Sequence, residues 1–393
     1  MPTRTLHAPV TFIILTFLFA LAACGSGKQS TICPLTTSCG CGPGVACVAP
    51  AYVYATFNGQ ITEFPVDPST GGLGSATTTN GPSASLGLAA LDSQFLYVSN
   101  FQQTVTGASL IDAWSINLST GTLASVPGSP FSLAPLSLAG GLAVDNAVQV
   151  LYVGDVDKID ALKADATGAL TAIPGSPFPA GENVYLTVDP QDRFLFAADD
   201  TPPGNVLAFT IDSSTGALTT VPGSPFAAGS GSVTSPWLAG IVVDSSGKFV
   251  YTVLERTNQV AAFSIMAPGG GLNPVPGSPF ATGNDPDALA TVNNFLYVAN
   301  AADGTLSGYS INPTSGVLMP LAGSPFAIRS AALTTDPGGN FLYVSGSSSM
   351  RTYKIDATSG ALTQIGLDLP YEGAGRWRMC SEGSVEMDPC AIA

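Results

Sequence analysis

Apolar residues in this chain fall in short runs separated by turn-forming pairs, and the arrangement recurs. Residues 289–326, LATVNNFLYVANAADGTLSGYSINPTSGVLMPLAGSPF, contain four such runs, broken at Asn293-Asn294, Asp303-Gly304 and Ser315-Gly316. Each run has strand length and each break has turn chemistry, so the segment predicts a four-stranded antiparallel meander. A Tyr-Val landmark marks its second strand and returns at Tyr54, Tyr97, Tyr152, Phe196, Tyr251, Tyr297 and Tyr343, with spacings of 43, 55, 44, 55, 46 and 46 residues. A turn glycine follows each one, at Gly71, Gly121, Gly168, Gly216, Gly270, Gly316 and Gly360. Units of this size with four strands apiece are the signature of a β-propeller. The expected fold is therefore all-β, with seven blades filling residues 51–393.

Within a unit, Phe295-Leu296-Tyr297-Val298 is apolar on both faces, as a strand sandwiched between neighbouring sheets requires. The fourth strand carries Pro-Gly-Ser-Pro-Phe from Pro127, Pro174, Pro222 and Pro276, with a variant at residues 322–326. Proline cannot donate to a strand ladder, so this strand is the outer edge and the motif is architectural. Six units end their inner strand in a Leu/Ile-x-x-Asp-like pattern, but the first begins directly at its second strand, residues 51–56. Its missing innermost strand is expected from the tail, residues 376–388, which would close the ring.

Two segments precede the repeats. Residues 10–21 form an apolar run behind Arg4 and His7, too short to span a bilayer comfortably, and residues 1–23 are expected to be an export leader. The leader ends in Leu21-Ala22-Ala23-Cys24, which resembles the lipobox of bacterial lipoproteins and implies lipidation of Cys24 and attachment to the cell envelope, on the periplasmic side or at the cell surface. Residues 24–50 then form a tether with a symmetric cysteine cluster, Cys33, Cys39, Cys41 and Cys47, to which the tail adds Cys380 and Cys390. An even number of cysteines in an exported chain favours disulfides, and no C-x-x-C spacing supports a metal site.

Composition narrows the partners. The chain has 44 Gly and 31 Pro, 10% charged residues and a net charge of −15. So few and so scattered Lys and Arg argue against a nucleic-acid partner. No cofactor motif and no metal motif is present, and a monomer is expected.

The strands Leu96-Tyr97-Val98-Ser99-Asn100 and Leu296-Tyr297-Val298-Ala299-Asn300, with the turns of residues 211–218 and 355–362, resemble the lactonase-type seven-bladed β-propellers. That group includes bacterial 6-phosphogluconolactonase and the YVTN-repeat surface proteins. The resemblance covers residues 51–375 and implies the fold, while the same units build both hydrolases and non-catalytic surface proteins. Its enzymes are thought to use His, Glu and Arg on one face of the ring. Here the sole histidine is His7, inside the expected leader, so Ser-His, Cys-His and histidine-zinc chemistry are excluded for the mature protein.

Carboxylates and arginines on loops remain. Loops after the second strand and loops into the next unit share one face, and Glu182, Glu255, Arg256 and Arg329 are the candidate catalytic residues there, a carboxylate as general base and arginine on the oxyanion. Asn58, Asn100, Asp155, Asp199, Asp285 and Asn300 are the candidate ligand-binding residues. Two functional classes fit: a lipid-anchored propeller that binds a small molecule, glycan or envelope protein on its channel face without chemistry, and a lactone hydrolase. The missing imidazole favours the first. A disulfide from Cys380 or Cys390 to the N-terminal cluster, Cys47 among the choices, is expected to seal the ring. Peptide mapping of the non-reduced protein should recover that cross-linked pair; only free or purely local cysteines would remove the seal.

Overall fold

The computed structural model describes residues 17–20, 30–31, 46–47, 51–57, 59–82, 85–100, 109–133, 141–155, 157–181, 185–229, 238–330, 332–346 and 349–370. Seven antiparallel sheets follow one another along the chain, each a meander running from an inner to an outer strand. The sixth blade shows the unit at its simplest: Pro286–Val292, Phe295–Asn300, Thr305–Ile311 and Leu318–Pro320. The inner strand of each blade lies against that of the next, and that of the seventh lies against the first, so the ring is closed.

The second strands form the core. Phe95–Asn100, Val150–Gly154, Phe194–Asp199, Phe249–Leu254, Phe295–Asn300 and Phe341–Ser345 are buried at every position. The period-two rule of a half-wetted strand fails here because a neighbouring blade covers each face. One contact repeats from blade to blade. The landmark tyrosine of one blade donates its hydroxyl to the carbonyl of the turn glycine in the next: Tyr54 to Gly121 at 2.7 Å, Tyr97 to Gly168 at 2.9 Å, Tyr152 to Gly216 at 2.7 Å. Tyr251 reaches Gly316 at 3.0 Å, Tyr297 reaches Gly360 at 2.6 Å, and Tyr343 reaches back to Gly71 at 3.2 Å across the closure of the ring. The side chain two residues earlier packs on the same glycine, Phe249 on Gly316 and Phe341 on Gly71. Gly316 has φ +74°, and a Cβ there would overlap the Phe249 ring, so no other residue fits. The fourth blade has Phe196 in place of the tyrosine and so lacks this bond to the fifth.

The outer strand is split in two by the Pro-Gly-Ser-Pro corner. Leu123–Ser125 and Phe131–Ser132 both pair with Leu110–Ile116, and the same split recurs in the third, fourth and fifth blades. The corner serine accepts a hydrogen bond from the third strand: Ser129 from the Ala113 N–H, Ser176 from Ala161 and Ser278 from Ala262, each at 2.9 Å. The motif is thus a bracket holding a proline-bearing edge strand, the role its sequence implied.

The first blade corrects one expectation. Its inner position is held by Phe17–Ala20, paired antiparallel with Ala51–Phe57 through Phe17–Ala55 to Ala20–Tyr52. The sequence pattern put residues 376–388 there; they lie outside the described residues, as do Cys24, Cys33, Cys39, Cys41, Cys380 and Cys390. Cys47 lies in the short strand Ala46–Cys47, parallel to Ser30–Thr31. The confusion has a physical source, since an export leader's apolar run has the composition of an inner strand.

Tyr297→Phe should cost about 1 kcal/mol of stability in urea unfolding, the worth of one buried hydrogen bond. Gly316→Ala should cost about 3 kcal/mol, combining left-handed backbone strain with the overlap on Phe249. Equal stability of both variants to the parent would show that the contact between blades carries no load.

Candidate active site

Loops joining second to third strands and loops joining one blade to the next emerge on the same side of the ring. Most of the candidate ligand-binding residues on that side are engaged in the fold. The fully buried Asn300 accepts from the Gly283 N–H at 3.1 Å and donates to Thr305 Oγ1 at 3.0 Å and Ser307 Oγ at 2.9 Å. It ties the loop leading into the sixth blade to that blade's own strands. Asn100, also buried, donates to Asp112 Oδ2 at 2.7 Å. Asp199 Oδ1 accepts from the Thr201 N–H at 3.0 Å and its hydroxyl at 2.7 Å, forming a turn bracket. Asp155 pairs with Lys158 at 3.2 Å. Asn58 and Glu182 lie outside the described residues.

Convergence occurs instead across the fourth, fifth and sixth blades. Glu255 opens a 3-10 turn, Glu255–Thr257, that follows the second strand of the fifth blade. The turn ends at Asn258, at φ +54°, whose side-chain oxygen accepts from the Asp285 N–H at 3.0 Å and whose amide donates to Asn284 Oδ1 at 2.9 Å. From the other side Asp303 accepts from the Asn284 N–H at 2.7 Å and its side-chain amide at 2.8 Å. The loop into the sixth blade is thereby stapled to both neighbours. Asp285 is held at φ +58°, a conformation a non-glycine residue adopts only when its surroundings impose it. Two residues on, the pairing of the inner strand shifts between Pro286 and Ala288, so Asp287 is the extra residue of a β-bulge.

The outcome is a carboxyl cluster. Asp285 is the largest charge acting on Glu255. Burial first, then that charge, push Glu255 up to about 7, against the pull of Arg256. Asp287 is pushed up to about 8, by burial and then by the Asp285 charge. Its Oδ1 is buried without a hydrogen-bond partner. Asp200, from the loop after the second strand of the fourth blade, accepts from the Leu238 N–H at 2.6 Å and adds its charge to Glu255. Tyr185 begins the inner strand of the fourth blade, and burial with the charges of Asp200, Glu255 and Asp287 raises its phenol to about 12.

Of the residues singled out from sequence, the structure brings together Glu255, Arg256 and Asp285. Arg329 lies beside Gly304, at the side of the sixth and seventh blades, and is not among the charges acting on Glu255 or Asp287. Asp287 and Tyr185 were missed. The Asn284-Asp285 turn pair just ahead of an inner strand was the one available signal, and nothing in the sequence marks the bulge. Among the described residues, no group of three or more His, Cys, Asp or Glu is placed to hold a metal ion.

Comparison with known proteins agrees with this architecture. Residues 206–328, which contain Glu255, Asp285, Asp287 and Asp303, match the family described as "Lactonase, 7-bladed beta-propeller". The chain is a seven-bladed β-propeller whose central blades match that family's model. This propeller is similar to a putative 6-phosphogluconolactonase from Bacteroides uniformis, at 17% identity and a TM-score of 0.62, over 79% of this chain and 92% of that one. It is similar also to the periplasmic gluconolactonase of Pseudomonas aeruginosa, at 17% identity and a TM-score of 0.58, over 79% and 92% of the two chains. A protein from Lactobacillus plantarum matches at 18% identity and a TM-score of 0.60, over 79% and 92%. At such identities the likeness is one of fold. No match is found among curated proteins.

The raised carboxyls make stability depend on pH in a defined direction. In the unfolded chain they titrate at about 4; in the folded chain Glu255 holds its proton to about 7 and Asp287 to about 8. The folded state therefore binds more protons across that window, and the stability these groups contribute is full at its acid end and lost as pH rises. Thermal melts from acid to mildly alkaline pH should show a shallower decline for Asp287→Asn than for the parent. Parallel curves would place the Asp287 carboxyl in the ordinary range.

Proposed function

We propose that this propeller is a lactone hydrolase working through Glu255, Asp285 and Asp287. The observation that carries the reading is the carboxyl cluster itself, in which two groups exchange protons at about pH 7 and about pH 8. That pairing supplies a base and an acid without histidine. Ionised Glu255, carried on the 3-10 turn after the fifth blade's second strand, takes a proton from water as the water oxygen bonds to the lactone carbonyl carbon. Protonated Asp287 gives its proton to the ring oxygen as the acyl–oxygen bond breaks. Ring opening releases the hydroxy acid, and proton exchange with solvent resets both carboxyls. Arg256, next to Glu255, is the cationic group for the charge that develops on the carbonyl oxygen.

The family match over the site-bearing blades and the gluconolactonase folds among the similar structures support this assignment over binding alone. The cell envelope is the proposed location, and the periplasmic neighbour from Pseudomonas aeruginosa is consistent with it.

Purified protein assayed on a panel of sugar lactones should give a bell-shaped pH profile, rising through about 7 as Glu255 ionises and falling through about 8 as Asp287 does. Glu255→Gln and Asp287→Asn should each lower kcat by on the order of 100-fold. Lactone binding without turnover would leave a binding propeller, and turnover untouched by both variants would put the chemistry on other residues.

A further inference from the structure

The hydrolase reading leaves the substrate class open, and the charge at the site narrows it. Four carboxyls from three blades converge here, Asp200 and Asp285 acting on Glu255 and Asp285 and Glu255 acting on Asp287, and Arg256 is the one cation among the groups acting on Glu255. Asp303 lies just behind, bound to Asn284. The wider chain offers no compensating field, with 27 Asp and Glu against 12 Lys and Arg. Phosphoryl groups are recognised by clustered Arg and Lys or by backbone N–H groups at a helix start. Among the described residues the helical structure is the short 3-10 turn at Glu255–Thr257, which begins with a carboxylate. What the site offers in quantity is acceptors, and carboxylate and amide oxygens suit the O–H donors of a polyol.

Resting on the hydrolase reading, we infer that the substrate is an uncharged polyhydroxylated lactone, and that the site rejects the same lactone carrying a phosphate. A phosphate on the exocyclic carbon travels on the ring that carries the reacting carbonyl. It therefore enters the field of the carboxyls whenever the carbonyl meets Glu255. Like charges brought together raise the energy of the bound state without any contact being lost. The asymmetry lies in the site's electrostatics rather than its shape, so it weakens with salt.

The test compares glucono-δ-lactone with its 6-phosphate on the full chain. The neutral lactone should have a kcat/KM higher by at least about 30-fold at low ionic strength. The ratio should shrink in high salt and in Asp200→Asn, which keeps an acceptor for the Leu238 N–H and removes the charge. A phosphorylated lactone cleaved as well or better overturns the inference and leaves the hydrolase reading intact. If neither lactone is cleaved, calorimetry with the two uncleavable lactams decides. Tighter binding of the neutral lactam sustains the selectivity while the hydrolase reading falls; equal or tighter binding of the phosphorylated one, or no binding of either, overturns the selectivity as well.

Discussion

The ring depends on one contact made between blades: a buried tyrosine hydroxyl donating to the carbonyl of a glycine turn in the next sheet. It occurs six times, and the instance from Tyr343 to Gly71 joins the last blade to the first. Each turn must be glycine because a side chain of the preceding blade packs against it, and each hydroxyl must find a partner because its ring is wholly buried. The bond thus fixes the spacing of the blades, which in turn fixes where their opposite-side loops meet. The exception is Phe196, so the junction of the fourth and fifth blades lacks this bond and is crossed instead by Leu238 N–H to Asp200 and by Arg193 to the Gly247 carbonyl. That junction runs beneath Tyr185, Asp200 and Glu255.

Local geometry then converts a generic loop face into a chemical site. Asn258 and Asp303 pin the loop that holds Asp285 in a left-handed conformation, and a one-residue bulge turns Asp287 into the cluster. Neither distortion would persist without the neighbouring blades to hold it. The carboxyls meet because three blades deliver them together, and burial among like charges keeps protons on groups that would lose them in water.

The fold was readable because its constraints repeat: the tyrosine landmark, the turn glycine and the Pro-Gly-Ser-Pro corner each recur with the blade, so one sequence carries several copies of the evidence. The site was only half readable because it occurs once. Glu255, Arg256 and Asp285 were visible as charged residues on the right loops. Asn100 and Asn300 sit at equivalent strand ends, but both turn inward to hold their own blades. Asp287 was hidden because a bulge shifts register by a single residue, which leaves no trace in a pattern of period two. The inner strand of the first blade was hidden for the opposite reason, since Phe17–Ala20 belongs to a segment whose composition fits an export leader equally well.

The account turns on carboxyls that hold protons near neutral pH on a scaffold with no histidine in its ring. Difference infrared spectroscopy across a pH titration observes this directly through the carbonyl stretch of protonated carboxyl groups. The account predicts bands that vanish between about pH 6 and 9, one of them missing in Glu255→Gln and another in Asp287→Asn. Loss of every carboxyl band near pH 4, as in an unfolded chain, would contradict it.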